Sequence, residues 1–307
     1  MTPQEIKTYL SKPHRESPMG GHFFGVYSEC PWKFFLRYVL GFQPTESQRY
    51  FIRGQAIHSG IELCIDDGFD PATGLSTAVG YVDLHADELG VDYEDDRKLV
   101  SAMMMEWTNE YATGGAKPDS ARYTELGREV EGVLRLSNGY EISIRFDRVV
   151  RCRQTGRILI IDTKTTSRSI SSPFRSLTQG VQAISYLLAG TQLYGEAPLG
   201  FIADVIVGKH LKAGPSVLVQ RSPLITFSKY AGIQYELNMI GLLSEITQKV
   251  KTYQSGELPC EMLFPRSTAL CSMWNCPFEN ICRRRPDPAV VPLGFTHDPR
   301  LSLEVLS

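Results

Sequence analysis

Apolar residues recur at helical spacing in the first third of the chain and at strand spacing in the middle. Leu99, Val100, Met103, Met104 and Trp107 fall three and four apart, which predicts a helix over about 95–112 with these side chains turned inward. Neighbouring stretches at about 50–65 and 73–89 read as helices too. Thr2-Pro3 has the form of an N-cap followed by proline and opens a short helix to about Leu10. After a polar, glycine-rich stretch, Ser28 caps a predicted helix that runs through Pro31 and Trp32 to Leu40, with Gly41 as its stop. The pattern then changes. Three β-rich runs cover roughly 123–136, 140–151 and 157–164. A helix at about 176–194, strands at about 199–207 and 216–226, and a long helix at about 229–255 follow. This order predicts an α/β fold, a sheet core flanked by helices with a helical N-terminal lobe. From Leu258 the chain is rich in proline and cysteine, and no regular structure is expected after Arg285. The expected division is 1–115 as the helical lobe, 116–257 as the core, 258–286 as a cysteine module and 287–307 as a tail.

Composition narrows the class. The 307 residues carry ordinary hydrophobic content and a net charge of −2, so the chain can bury a sizeable core and any binding of nucleic acid must come from local patches. Two runs qualify: Arg145, Arg148, Arg151, Arg153 and Arg157 around one hairpin, and Arg283, Arg284 and Arg285. A solvated basic face is the plain alternative for either. No run is long and apolar enough to span a bilayer, and the polar start MTPQEIKTYL lacks a signal core. The expected location is therefore cytoplasmic, with no membrane partner. In that reducing setting seven cysteines read as metal ligands and structural thiols rather than disulfides.

Chemistry concentrates in the hairpin from Ser143 to Lys164. Gln154 and Thr155, followed by Gly156, are turn residues. With the turn centred there, paired positions sum to about 309 and Asp147 lies opposite Asp162, their Cβ atoms ~5 Å apart. Lys164, two residues on, shares the face of Asp162. Leu159, Ile160 and Ile161 mark a strand buried on both sides. Two opposed carboxylates at the end of such a strand repel each other unless a cation or a shared proton neutralises them. A hard divalent ion, Mg²⁺ or Mn²⁺, suits carboxylate oxygens, and an adjacent lysine can stabilise charge building on a phosphate. A surface hairpin with an Asp/Lys pair is the competing explanation.

Helices on either side supply further candidates. Gly54 permits close approach of another backbone, His58 is a third metal ligand or a structural histidine, and Glu62 stands one turn later. Gln182 and Tyr186, four apart, share a helical face. The ordered set Cys30-Pro31-x-x-Phe34, Gly54-x3-His58, Asp147, Asp162-x-Lys164 and Gln182-x3-Tyr186 resembles the RecB-like branch of the PD-(D/E)xK nucleases, from about Cys30 to Tyr186 and again in the last cysteines. The resemblance implies a restriction-endonuclease-like mixed sheet. It implies that His58, Asp147, Asp162 and the Thr163 carbonyl bind the metal, that Lys164 is catalytic, and that Gln182 and Tyr186 complete the site. A glutamate on the preceding strand is frequent in that family; Glu129 and Glu131 both fit the place.

Cys271-x4-Cys276-Pro-Phe-x3-Cys282 gathers three thiolates beside Trp274 and Phe278, a donor set for a soft metal. Spacing leaves Cys260 and Cys30 open as the fourth ligand. The resemblance, which extends to CRISPR-associated RecB-like exonucleases and the AddB nuclease domain, implies Cys30 and a structural [4Fe–4S] cluster that clips the N-terminal lobe to the C-terminal module. Zinc is the chemical alternative. Cys64 and Cys152 read as structural. The activity implied is exonucleolytic hydrolysis of single-stranded DNA or DNA ends, 5′→3′ favoured. No Gly-x4-Gly-Lys-Ser/Thr loop is present, so a helicase is expected only as a separate partner, alongside a recombinase or a CRISPR-adaptation protein. The competing class is a DNA-binding assembly factor in which cleavage is secondary.

Overall fold

A computed structural model describes residues 21–45, 49–113, 118–171, 173–174, 177, 181–271, 276–283 and 290–298. The expected helix to Leu10, Trp274, Arg284 and Arg285 lie outside the described residues. In chain order the elements used below are α1 (Gly21–Glu29), α2 (Pro31–Phe34), β1 (Phe42–Pro44), α3 (Arg49–Asp66), α4 (Pro71–Leu84), α5 (Tyr93–Trp107), β2 (Tyr123–Arg135), β3 (Glu141–Cys152), β4 (Ile158–Thr166), α6 (Val181–Tyr194), β5 (Gly200–Leu211), β6 (Gly214–Arg221), α7 (Lys229–Gln254) and β7 (Phe295–His297).

Five strands form one mixed sheet in the order β2-β3-β4-β5-β6. β3 and β4 are antiparallel, β4 and β5 parallel, β5 and β6 antiparallel. A parallel pair needs a crossover, and α6 lies in the connection between β4 and β5. Ile158–Ile161 and Gly200–Val207 are buried on both faces, as an inner parallel pair demands. The fold is thus mixed α/β, a sheet flanked by helices.

The chain groups into two compact units. The described part of the first comprises 49–113, 118–132 and 145–228, apart from its masked positions. Its core joins α3, α4 and α5 through Ile57, Ile61, Cys64, Ala78, Val82, Leu99, Met103, Met104 and Trp107, with Ile206 of β5. The methionine pair is core filling, and Cys64 is fully buried. Burying each such large side chain contributes ~1.5–3 kcal/mol.

The second unit takes in 21–45, 133–144 and the described residues from 229 onward. Phe23, Tyr27, Phe34 and Tyr38 meet edge to face or tilted, and Phe34 and Phe35 both stack on Phe264. Two expectations are corrected here. The helix predicted from Ser28 to Leu40 is broken at Cys30: Ser28 lies inside α1, and Cys30 is extended (φ −158°, ψ 106°) at the start of α2. The residue before a proline is pushed out of the helical region, so Pro31 begins a helix rather than continuing one. The tail is also not structureless, since β7 pairs antiparallel with β1, Phe42 beside His297 and Pro44 beside Phe295.

Candidate metal centre

The hairpin register is the expected one. Arg148 pairs with Ile161 and Arg151 with Ile158, so paired numbers sum to 309 and the next step brings Asp147 beside Asp162. Asp162 is fully buried. Its Oδ2 receives the Lys164 ammonium at 2.7 Å and its Oδ1 accepts from Gln182 Nε2 at 3.1 Å. Gln182 also reaches Tyr186 Oη at 3.0 Å, and Tyr186 donates to the Arg145 carbonyl at 2.7 Å. The i,i+4 pair on α6 therefore anchors the carboxylate to β3 as well as to β4. Asp147 Oδ2 accepts the Thr163 N–H at 2.8 Å and stands 3.4 Å from His58 Nδ1.

Helix α3 delivers His58 to this point. A Cβ at Gly54 would lie 3.3 Å from Thr165 Oγ1, so glycine lets the helix close on the end of β4. The close neighbour is a side-chain hydroxyl, not the backbone expected from sequence. His58 hydrogen-bonds the Thr163 backbone, which brings the residue expected to lend its carbonyl to a metal against the imidazole.

The third member of the group is Glu129. Ligand atoms of His58, Glu129 and Asp147 all lie within 4.8 Å of one another. The choice between Glu129 and Glu131 turns on a local irregularity in β2. Odd-numbered residues are the less exposed ones up to Gly127, but from Glu131 onward the even-numbered ones are. Between these stretches Glu129 adopts φ 45°. A shift of phase with one residue in the left-handed region is the mark of a β-bulge, a device that re-aims side chains next to functional sites. Glu131 faces solvent as a result. Gly127 was the available hint, since glycine inside a strand often marks a bulge; a Cβ there would meet Val130 Cγ2 at 2.5 Å. Holding a non-glycine residue at positive φ costs ~1–2 kcal/mol.

Electrostatics follow from burial. Burial and the neighbouring Asp147 push Glu129 up to about 7, even with Arg145 Nε 3.0 Å from its Oε2. Burial raises Asp147 and Asp162 as well, and the second is raised further by the first. Burial works against charge on Lys164, but Asp162 and Asp147 outweigh it and keep the amine protonated. Burial and Lys164 lower His58 to about 4, leaving a neutral imidazole able to act as a ligand. Glu62, Arg128, Arg148 and Thr163 line the small open pocket around this group. Three acids held above their ordinary range, with a neutral imidazole, form a hard oxygen and nitrogen donor set that suits a divalent cation.

Not every expected site residue converges. Asp162 is tied to Lys164 and Gln182 rather than grouped with His58, Glu129 and Asp147. The hairpin arginines do not make one surface patch. Arg148 is buried in ion pairs with Asp119 and Glu125. Arg151 engages Glu196 and the Gly156 carbonyl, Arg153 the Tyr123 carbonyl, and Arg157 the Ala197 and Pro198 carbonyls.

In the second unit, burial raises the Cys276 and Cys282 thiols, and each also feels Cys30 and Cys271. Cys260 instead hydrogen-bonds Glu261 at 3.3 Å. Ser267 links two of the set, its N–H reaching Cys30 Sγ at 3.5 Å and its carbonyl accepting from Cys271 Sγ at 3.6 Å.

No helix of the described residues is long and apolar enough to cross a membrane. No curated protein matches the chain. The family model of the PD-(D/E)XK nuclease superfamily matches residues 24–283.

Proposed function

The chain belongs to the PD-(D/E)XK nuclease superfamily, a family of metal-dependent nucleases, and from that premise we propose a single-stranded DNA exonuclease of the RecB-like type, working 5′→3′ with Mg²⁺ or Mn²⁺ and carrying a structural [4Fe–4S] cluster. The observation that carries the reading is the convergence of His58, Glu129 and Asp147 beside the Asp162–Lys164 pair. The five-stranded mixed sheet with its flanking helices is consistent with the restriction-endonuclease-like architecture of the family.

In this reading His58, Glu129 and Asp147 hold the divalent ion, with Asp162 and the Thr163 carbonyl as further donors. When bound, the ion supplies positive charge against the scissile phosphate. Lys164 keeps its proton at Nζ and stabilises negative charge as it develops on the phosphate. Gln182 and Tyr186 do not meet the reacting atoms. They orient Asp162, and through it Lys164, so they are positioning residues.

Cys276 and Cys282 each feel the charge of Cys30 and Cys271, and the four thiols are a soft donor set for iron–sulfur ligation. Cys260, turned to Glu261, is the weaker fourth candidate. A single zinc with Zn–S bonds of ~2.3 Å would draw its sulfurs to about 4 Å of one another.

End-labelled single-stranded DNA, incubated with Mn²⁺ or Mg²⁺, is expected to be degraded by the wild type and not by Asp162→Ala, with the label position reporting polarity. Uncut DNA in the presence of bound metal would overturn the enzyme reading in favour of an assembly factor, a role that the net charge of −2 favours. Anaerobically purified protein is expected to absorb in the visible, and Cys30→Ser to lose that absorbance. Colourless protein with one equivalent of zinc would sink the cluster assignment.

A further inference from the structure

Helix α3 carries more than His58. Its first turn presents Tyr50 and Phe51, 59% and 40% exposed, with ring centroids 4.5 Å apart and planes inclined by 35°. Seven residues separate Phe51 from His58. At 3.6 residues per turn this is almost two full turns, so Phe51 stands on the same face of the helix as His58, ~10 Å further along the axis. Gly54 lies between them on that face, where α3 closes on Thr165 at the end of β4. Phe51 therefore continues the line of the metal centre, with Tyr50 packed against it.

The platform is tied down. Arg49 and Arg53 flank the two aromatics and both engage the fully buried Asp96 of α5. Arg49 Nε lies 2.6 Å from Asp96 Oδ2, and Arg49 also reaches Asp92 at 2.8 Å. These pairs fix the first turn of α3 to α5, so the exposed rings stand on a backbone already ordered in the free protein. Little entropy then remains to be lost when a flat ligand settles on them.

We propose that Tyr50 and Phe51 form a stacking platform for unpaired bases of the strand whose scissile phosphate lies at the metal centre, an assignment that rests on the nuclease reading above. Aromatic rings accept any base, because every base has a π-face, and duplex DNA offers such faces only at its ends. The pair selects single strands and frayed ends over intact duplex without reading sequence. The stacked duplex rise of about 3.4 Å per nucleotide is the shortest spacing, so ~10 Å places the stacked bases within about three nucleotides of the cut.

The test uses the full-length protein with Ca²⁺ in place of the activating metal and compares a labelled single strand with the same strand carrying abasic sites over its five terminal nucleotides. The wild type is expected to bind the abasic strand about 5- to 150-fold more weakly, the range for one stacked base. The double variant Tyr50→Ala/Phe51→Ala should lose a similar factor on the normal strand and show no further loss on the abasic one. Tyr50→Phe should bind as the wild type. Should the double variant fail to fold, Tyr50→Trp reads the same contact through quenching of its emission by the normal strand and not by the abasic one. Equal discrimination by wild type and double variant, or equal quenching of Tyr50→Trp by both strands, overturns the platform while cleavage by the wild type leaves the nuclease intact. A wild type that neither binds nor cuts single strands removes the reading beneath it.

Discussion

Asp147 and Arg148 are adjacent on β3, yet they serve two charge clusters of opposite character. Behind the sheet face, Arg148 donates to Asp119 at 2.9 Å and to Glu125 at 2.5 Å. Arg221 donates to Asp119 at 2.8 and 3.0 Å and to Asp204 at 2.6 and 2.7 Å, with its guanidinium 4.2 Å from the Tyr111 ring centroid. Asp119 is almost wholly buried. Burial alone would raise its pKa, but the two guanidinium groups outweigh burial and lower it. On the other side stand Asp147, Asp162 and Glu129, all raised. Each cluster has three carboxylates and two permanent cations, so charge count does not separate them. Pairing geometry does. Every carboxylate of the first cluster is hydrogen-bonded by a guanidinium, Glu125 once, Asp204 twice and Asp119 three times. In the second, the close partners of Asp147 among the described residues are a backbone N–H and a neutral imidazole, with Lys164 and Arg145 acting on it through charge alone. The first cluster neutralises its carboxylates with hydrogen-bonded guanidinium groups, although Glu125 Oε2 and Arg148 Nε lack partners; the second leaves Asp147 without a hydrogen-bonded cation, a place that an added cation would suit.

The sharpest way to break this contrast is to remove a partner from the complete cluster. Asp119→Asn leaves two buried guanidinium groups short of a counter-charge, and losing one member of such a pair costs ~3–5 kcal/mol. Denaturant unfolding should show that loss, equally with and without Mn²⁺. A loss below ~1 kcal/mol would mean that the cluster is not structural. Asp147→Asn should behave in the reverse manner. Without metal its stability is expected to equal or exceed that of the wild type, because one of two opposed carboxylates is neutralised and the amide oxygen can still accept from Thr163. With metal, the wild type gains ~2.7 kcal/mol at a free concentration one hundred times the dissociation constant, and the variant should gain none. A metal-induced gain that survives in Asp147→Asn would take Asp147 out of the ligand set.

The same comparison explains what could be read from sequence. The Asp147–Asp162 register was legible because turn residues and a doubly buried strand leave a hairpin one low-cost alignment. His58 and the Gln182–Tyr186 pair were legible because helical spacing puts side chains on one face whatever the surroundings. Glu129 was not, because a bulge breaks the very alternation by which strand faces are read. The role of Arg148 was misread for a different reason: a run of arginines looks the same whether it meets water or buried acids. The break at Cys30 was missed because helix-forming residues on both sides hid the constraint that a proline places on the residue before it. β7 was missed because three residues carry too little pattern to stand out among prolines. The cysteines were assigned through family resemblance, since spacing alone left both the nearer Cys260 and the distant Cys30 open.

Glu129 yields the smallest and most specific effect. Its folded-state pKa, about 7, lies above the ordinary glutamate value of about 4.5. Between those values the folded protein holds a proton that the unfolded chain has released, so metal-free stability falls as pH rises through that window. His58 acts in the opposite sense. At about 4 it is lower than an unfolded histidine near 6.5, so the folded chain lacks a proton there and stability rises with pH. The two slopes oppose each other from about 4.5 to 6.5, and only the downward slope of Glu129 continues to about 7. In Glu129→Gln that last decline should vanish: Asp162, raised to about 6, still offsets the His58 rise up to there, and metal-free stability should be flat above about pH 6.5. Metal binding gives the complementary signature. A metal must displace the proton on Glu129, so Mn²⁺ affinity in the wild type should weaken by up to about tenfold per pH unit below 7 on this account alone. Titrations at pH 6, 7 and 8 should show a shallower slope for Glu129→Gln, together with weaker binding at pH 8. Identical slopes would place Glu129 outside the metal's first ring of donors, leaving Asp162 to take that position.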